Sequence, residues 1–273
     1  IRYHCVTGVQ TCALPISPGA KAHWCVRLAG ETAGEAGATW VRGIRPEDWR
    51  ANWIAGPLDA LPLLRKSFRI ADKPVAGALA YVCGLGHFEL RVNGVAANDH
   101  VLDPAWTNYR DTCLYVAFDV KGLLKPGENA RGVMLGNGLY NVKGGRYTKF
   151  LGSFGEPKLI FQMLVTYVDG AREWVVSDES WRAGRSPITF SCMYGGEDYD
   201  ARLEQPGWDR AGFDEAVWMA VRTVDSPGGV LRAQDSPPIK VVKRLRPAET
   251  RKTAPGAYFL HLGGNLAARP VRR

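Results

Sequence analysis

The sequence lacks any long apolar run. No apolar run in its 273 residues reaches the roughly 18 consecutive residues that a membrane-spanning helix needs, so we expect no membrane partner. The six cysteines include no C-x-x-C pair, which argues against a zinc ribbon, and we interpret them as buried free thiols. No G-x-S-x-G motif is present, so nothing indicates the nucleophile elbow of an α/β-hydrolase.

The main body of the chain also lacks a surplus of charge. The formal net charge is +8, but nine basic residues between Lys240 and Arg273, set against the single acid Glu249, account for all of it. Residues 1–239 therefore balance at zero. Because a nucleic-acid groove needs basic residues on the main domain, we expect no nucleic-acid partner and interpret the basic tail as solvated.

What the sequence does contain is a series of short β-type runs around the stretch Tyr81–Asp119. Residues His87–Val92 alternate strictly between apolar and polar side chains, which is typical of a half-buried strand. The run ends at Asn93-Gly94, the pair best suited to a two-residue hairpin turn. A second alternating run, from Leu114 to Phe118, follows a polar loop. If the protein binds anything, we expect that loop to take part.

These runs predict an all-β protein, with 31 glycines and 17 prolines marking its turns. Their spacing favours a β-sandwich of jelly-roll type. Only Val120–Leu124 and Asp209–Trp218 are candidates for helical turns. Lys240–Leu245 is predicted to open a further strand set. Residues 1–17 match no element period and resemble translated sequencing-adapter read-through, so we leave them out of the fold.

Several motifs, in consistent order across most of Trp49–Ile239, resemble the N-terminal region of bacterial α-L-rhamnosidases of glycoside hydrolase family 78. They are Trp49–Ile54, Leu85–Leu90, Val92–Gly94, Leu102–Thr107 with Tyr109, Leu135–Gly138, Gly196–Arg202 and Gly207-Trp208. The resemblance implies a partial fibronectin type III-like β segment at 18–51, the sugar-recognising sandwich at 52–238, and the truncated start of another β domain at 239–273. Within that last segment, His261 and Gly264 stand where the family usually has Asp and Gln.

Sugars are bound by carboxylate or amide groups that contact hydroxyls and by an aromatic face that contacts the C–H surface of the ring. The resemblance implies that Asp99 and its neighbours form such a site and can use calcium, with Asp99 and Asn98 as the candidate metal ligands. His100 is a departure, because an imidazole is a poorer calcium ligand than an amide oxygen. No cofactor is required. The candidate substrate-binding residues are Asp99, His100, Trp106, Asn137, Glu197, Asp200 and Arg202.

Structural interpretations of the same residues stay open. Asp99 could close an Asx-type turn, Trp106 could pack under the sandwich, and Asp103 could form a turn before Pro104. An ion pair of Asp200 or Glu197 with Arg202 could organise a domain junction instead of lining the rim of an active site.

The resemblance implies an inverting enzyme that releases terminal α-L-rhamnose, with its catalytic carboxylates on an (α/α) barrel beyond Arg273. No catalytic residue is assigned here, and we expect no hydrolysis by this chain alone. The expected partners are rhamnose-containing glycosides and the barrel of the same polypeptide. A stand-alone L-rhamnose-binding module and a purely structural scaffold are the alternatives. The cellular compartment is left open.

Overall fold

The protein is described by a computed structural model that covers residues 18, 21–27, 35–57, 61–146 and 151–264. Within these residues the chain forms strands and three single-turn 3-10 helices, Pro46–Asp48, Lys121–Leu123 and Ala201–Leu203, which confirms the all-β prediction. The strands are β1 (Lys21–Arg27), β2 (Glu35–Val41), β3 (Ile54–Ala55), β4 (Pro62–Ile70), β5 (Val75–Leu85), β6 (His87–Val92), β7 (Val95–Ala96), β8 (Thr112–Asp119), β9 (Gly127–Gly136), β10 (Asn141–Val142), β11 (Gly152–Ser153), β12 (Lys158–Tyr167), β13 (Arg172–Val176), β14 (Arg182–Arg185), β15 (Ile188–Cys192), β16 (Gly196–Tyr199), β17 (Met219–Ala220), β18 (Arg222–Thr223), β19 (Val230–Ala233), β20 (Glu249–Ala254) and β21 (Ala257–His261).

Two sheets carry the fold. Sheet I has the order β18-β3-β12-β5-β8-β19, with β13 also paired to β12, and sheet II has the order β17-β14-β4-β9-β6-β7. All pairings are antiparallel except that of β19 with β8. Apolar side chains from both sheets meet in one buried cluster, for example Phe161 of sheet I with Leu64 and Leu135 of sheet II. The two sheets therefore form a sandwich with its core between them.

Sheet I is buried on both faces. Its outer face carries a second apolar cluster that includes Tyr81, Cys83 and Tyr115, and this cluster is covered by Ile44 and Trp53. Strand β5 is therefore apolar almost without interruption, whereas the strand β6 of sheet II alternates as the sequence predicted. The buried cysteines Cys83 and Cys113 are free, as predicted.

The outer face of sheet II is covered by the segment 204–218. Trp208 packs over Gly132 and Trp218 over Gly184, where in each case a β-carbon would collide with the indole. The buried guanidinium of Arg65 donates a hydrogen bond of 2.8 Å to the Trp208 carbonyl and forms an ion pair with Glu215. The segment Asp209–Trp218 is held by these contacts as turns and contains no helix.

One strand was not predicted, and one prediction of a strand was wrong. Strand β14 was not anticipated, and it pairs with β4 and β17 inside sheet II. Lys240–Leu245 is not a strand, because no described strand lies beside it and its one bridge to the described part of the chain is the isolated one from Lys240 to His100. The next strands form the hairpin β20–β21.

Some sequence predictions are not tested by these observations. Residues 1–17 and 265–267 lie outside the described residues, and the domain boundaries remain predictions. None of the described helices has the length and apolar character needed to cross a bilayer.

Candidate functional site

The polar loop predicted from the sequence runs along one edge of the sandwich, and we call residues 97–111 the edge loop. It leaves sheet II after β7, with the Ala97 N–H donating 2.9 Å to the Leu90 carbonyl. The Phe88 N–H then donates 2.8 Å to the Asp103 carbonyl. The loop enters sheet I at Thr112, where β8 begins. It thus bridges the two sheets.

The side chains of Asn98 and Asp103 hold the edge loop from inside. Asn98 Oδ1 accepts the His100 N–H at 2.8 Å, which closes an Asx-type turn. Asp103 is only 4% exposed, and its Oδ2 lies 2.8 Å from Nδ1 of His100. The turn proposed for Asp99 is therefore made one residue earlier, by Asn98. Asp103 is more than a turn residue, because its carboxylate fixes the His100 ring.

Asp99 points out of the loop and contacts a residue that is distant along the chain. Its Oδ1 lies 2.8 Å from Nζ of Lys240, and this hydrogen bond is the main cause that lowers the pKa of Asp99. The Val101 N–H also donates 2.8 Å to the Ile239 carbonyl. These contacts do not fit a calcium site, because an ammonium group already neutralises Asp99 and a turn N–H occupies the Asn98 oxygen. Among the described residues no group of three His, Cys, Asp or Glu side chains could hold a metal ion.

Trp106 lies on the surface of the edge loop. Its side chain is 66% exposed, so the interpretation that it packs under the sandwich is wrong. The neighbouring backbone is fixed, since the Ala105 N–H donates 2.8 Å to Gln234 Oε1. The indole therefore presents an apolar face to solvent from a loop that is held in place.

Asn137 lies in a different place, at the end of the sandwich. It lines a cleft of about 250 Å³ together with Lys143, Glu156 and Phe190, and none of the described lining residues belongs to the edge loop. Its Nδ2 donates 2.9 Å to the Ser191 carbonyl, and its Oδ1 accepts from Asn141 at 3.1 Å. Both ends of the amide are thus engaged by protein groups.

The acidic cluster lies on the hairpin β15–β16 and the turn that follows it. Asp200 accepts the Arg202 N–H at 3.0 Å and makes hydrogen bonds of 2.8 and 2.6 Å to the Arg202 guanidinium. These bonds lower the pKa of Asp200 to about 2. Asp198 pairs with Arg146, whereas Glu197 is exposed opposite Ser191. The Asp200–Arg202 ion pair is confirmed.

The predicted site residues therefore fall into three groups. Asn98, Asp99, His100 and Trp106 share the edge loop, whereas Asn137 belongs to the sandwich-end cleft and the acidic cluster to the β15–β16 hairpin. Sequence reasoning missed Gln234 and Lys240, which support the edge loop. Gln234 lies 129 positions away from Ala105, so no local pattern could link the two.

Comparison with known proteins gives a consistent result. Residues 73–243 match the family model of the alpha-L-rhamnosidase N-terminal domain. A curated alpha-L-rhamnosidase from Streptomyces avermitilis is 35% identical over 226 residues, which are 79% of this chain and 22% of that protein. One from Formosa agariphila is 35% identical over 200 residues, 72% of this chain and 21% of that protein. The chain spans about a fifth to a quarter of the length of such relatives.

Solved structures agree with these matches. The alpha-L-rhamnosidase from Aspergillus terreus has a TM-score of 0.82 at 32% identity and is matched over 92% of this chain and 31% of its own. The enzyme from Dictyoglumus thermophilum has a TM-score of 0.77 at 35% identity, over 89% of this chain and 29% of its own. The Streptomyces avermitilis enzyme, solved in complex with L-rhamnose, has a TM-score of 0.70 at 36% identity, over 76% and 20%.

Proposed function

The chain belongs to the family of alpha-L-rhamnosidase N-terminal domains, and from this membership we propose that it is the substrate-recognition part of an α-L-rhamnosidase. In this proposal the edge loop binds the terminal L-rhamnose of a glycoside. The observation that carries it is the exposed indole of Trp106 on a loop that also presents the carboxylate of Asp99.

The chemistry of the two side chains suits a deoxy sugar. L-rhamnose has a methyl group and C–H faces that pack on an aromatic ring, and vicinal hydroxyls that donate to a carboxylate. Asp99 keeps its second oxygen as an acceptor beside the one held by Lys240. No step of this recognition requires a metal ion.

We propose that hydrolysis, by contrast, depends on carboxyl groups elsewhere in the polypeptide. A glycosidase needs a carboxyl group that is protonated near neutral pH, opposite a second carboxylate. The pKa of Asp99, Asp198 and Asp200 is lowered by a cationic partner in each case, which is the wrong direction for a proton donor. Release of rhamnose from an aryl α-L-rhamnoside by the pure chain would contradict this part.

A scaffold role is the second candidate, and one observation favours it. The hairpin β15–β16 exposes Met193, Tyr194 and Tyr199, and Leu151 is exposed just before β11; apolar surface of this kind is what a neighbouring domain covers. A scaffold needs no sugar affinity. We also keep the division at 18–51, 52–238 and 239–273 as part of the proposal.

Trp106→Ala tests recognition. Because the variant removes an exposed apolar face and no core contact, we expect affinity for methyl α-L-rhamnoside to fall about tenfold with the melting temperature unchanged. The matched control is Tyr258→Ala, which removes another exposed aromatic ring, on β21. Calorimetric titration measures both variants. Equal affinity of Trp106→Ala and the wild type, or no binding by either, would refute recognition by the edge loop and leave the scaffold role.

A further inference from the structure

Lys240 reaches the edge loop from a distant part of the chain and is held there by the backbone. The Val101 N–H donates 2.8 Å to the Ile239 carbonyl. Lys240 itself pairs with His100 in an isolated antiparallel bridge. From this position Nζ of Lys240 lies 2.8 Å from Oδ1 of Asp99. The ammonium group therefore belongs to the same surface as the Asp99 carboxylate that the edge loop presents.

Stability of the fold does not explain the ion pair of Lys240 with Asp99. The two side chains are 44% and 69% exposed, and exposed ion pairs stabilise a protein little because water screens the attraction between the charges. Holding a lysine side chain in one position also costs conformational entropy. The pair of Lys73 with Asp169, between the β4–β5 and β12–β13 turns, is similarly exposed. It is therefore a matched control for any function of Lys240.

Both members of the Lys240–Asp99 pair keep hydrogen-bonding capacity that a ligand can use. An ammonium group has three N–H donors, and the bond with Asp99 uses one of them. A carboxylate has about four acceptor positions, so Asp99 can accept further hydrogen bonds beside the one from Lys240. The pair therefore offers a donor and an acceptor side by side at the surface of the edge loop.

An adjacent donor and acceptor of this kind suit two neighbouring hydroxyl groups. One hydroxyl donates to the carboxylate of Asp99, and the oxygen of the next one accepts from the ammonium group of Lys240. Because Nζ and Oδ1 are themselves only 2.8 Å apart, the two groups match hydroxyls on adjacent carbon atoms. A charged ligand fits less well, since Asp99 repels an anion and Lys240 repels a cation. The ligand chemistry that the pair favours is a neutral vicinal diol.

We propose that Lys240 is a sugar-binding residue, and that together with Asp99 it recognises a free vicinal diol of a neutral sugar. This inference rests on the proposed function, to which it adds a binding residue and a class of substrate. Trp106 can pack on the C–H face of many sugars, whereas the ion pair requires two free hydroxyls on adjacent carbons. Selection among sugars is therefore assigned to Lys240 and Asp99, and general affinity to Trp106.

Calorimetric titration of the full chain with two sugars tests this assignment. Methyl α-L-rhamnoside carries three consecutive ring hydroxyls, whereas its 3-deoxy analogue lacks the middle one and therefore has no vicinal pair. For the wild type we expect the 3-deoxy analogue to bind about tenfold more weakly, the effect of a lost hydrogen bond to a charged group. Lys240→Met keeps the length of the side chain and removes its donors, so we expect this preference to fall below about threefold.

Two control variants separate recognition of the diol from folding and from the rest of the edge loop. Lys73→Met removes the matched ion pair and should keep both the affinity and the preference of the wild type. Trp106→Ala should bind both sugars more weakly by the same factor, which leaves the preference unchanged. Lys240→Met should melt at the temperature of the wild type, because an exposed ion pair contributes little to stability.

The outcomes distinguish this inference from the proposed function. An unchanged preference in Lys240→Met overturns the assignment of Lys240 even if the affinity for both sugars falls, because a lysine that only supported the edge loop would affect both sugars equally. Equal binding of the two sugars by the wild type overturns it as well. In either case recognition by the edge loop stands as long as Trp106→Ala binds more weakly than the wild type. No binding of either sugar by the wild type overturns both.

Discussion

Burial and hydrogen bonding divide the polar side chains of the edge loop into those that hold it and those that can meet a ligand. Asn98 and Asp103 turn inward and bind His100, whereas Asp99 and Trp106 face solvent. The sequence predicted where this loop lies, because the strands on either side have a local pattern. It could not predict the division, because Lys240 and Gln234, which meet Asp99 and Ala105, lie far along the chain.

His87 makes the stability of the fold depend on pH. Both ring nitrogens lack a hydrogen-bond partner among the described residues, and burial lowers the pKa of His87 below its ordinary value of 6.5, against the raising effect of Asp103. The unfolded chain therefore binds a proton that the folded chain resists. Stability should be complete above pH 6.5 and should decrease as the pH falls from 6.5 to the folded pKa.

The unfolding free energy of the wild type should fall between about pH 7 and pH 5, and we predict that His87→Gln makes this fall smaller. Because a single group is involved, its contribution to the slope is at most about 1.4 kcal/mol per pH unit. Urea unfolding at several pH values measures it for both proteins. Groups that do not interact with His87 contribute equally to both profiles, so the difference reports the His87 site. Parallel profiles would show that His87 does not contribute.

At the scale of single strands, the sequence predicted those features that depend on neighbouring residues alone. The alternation of β6 and the turn at Asn93-Gly94, with φ of 50° and 86°, follow from adjacent residues alone. Strand β14 was missed because Arg182–Arg185 has no apolar alternation. Its extended form is imposed by β4 and β17, and its Gly184 is needed where Trp218 packs on the sheet.

The fit of the segment 204–218 on sheet II can be tested at Gly132. A β-carbon there would lie 2.7 Å from Cη2 of Trp208, so the indole must move. We predict that Gly132→Ala lowers the unfolding free energy by about 1–3 kcal/mol, the usual cost of overpacking. Gly77→Ala on β5 is the matched control, because its β-carbon would meet nothing within 4 Å.

The control should be neutral or slightly stabilising, by up to about 1 kcal/mol, because alanine restricts the unfolded chain. Urea unfolding compares the three proteins. If Gly132→Ala were as stable as Gly77→Ala, the segment 204–218 would not pack closely on β9.

At the scale of the whole molecule, the fold class and the family could be predicted from the sequence, because many motifs in a fixed order carry them. How the C-terminal part attaches could not. Strand β19 runs parallel to β8, and the residues after it contact the edge loop at Gln234 and Lys240. Among the described residues the hairpin β20–β21 pairs only within itself, and it is exposed along its length. We therefore expect the sandwich to extend to about residue 240 and the hairpin to add little to its stability.

Two truncations test this boundary. A chain that ends at Leu245 keeps β19 and the edge-loop contacts, so its unfolding free energy should stay within about 0.5 kcal/mol of the full chain, as for changes away from packed sites. A chain that ends at Gly229 loses the β19 pairing, the burial of Leu231 and the bonds of Gln234 to Ala105 and Tyr115. It should lose about 2–5 kcal/mol, from a few hydrogen bonds and one apolar side chain. Urea unfolding of both decides, and a large loss already at Leu245 would mean that the exposed hairpin supports the sandwich after all.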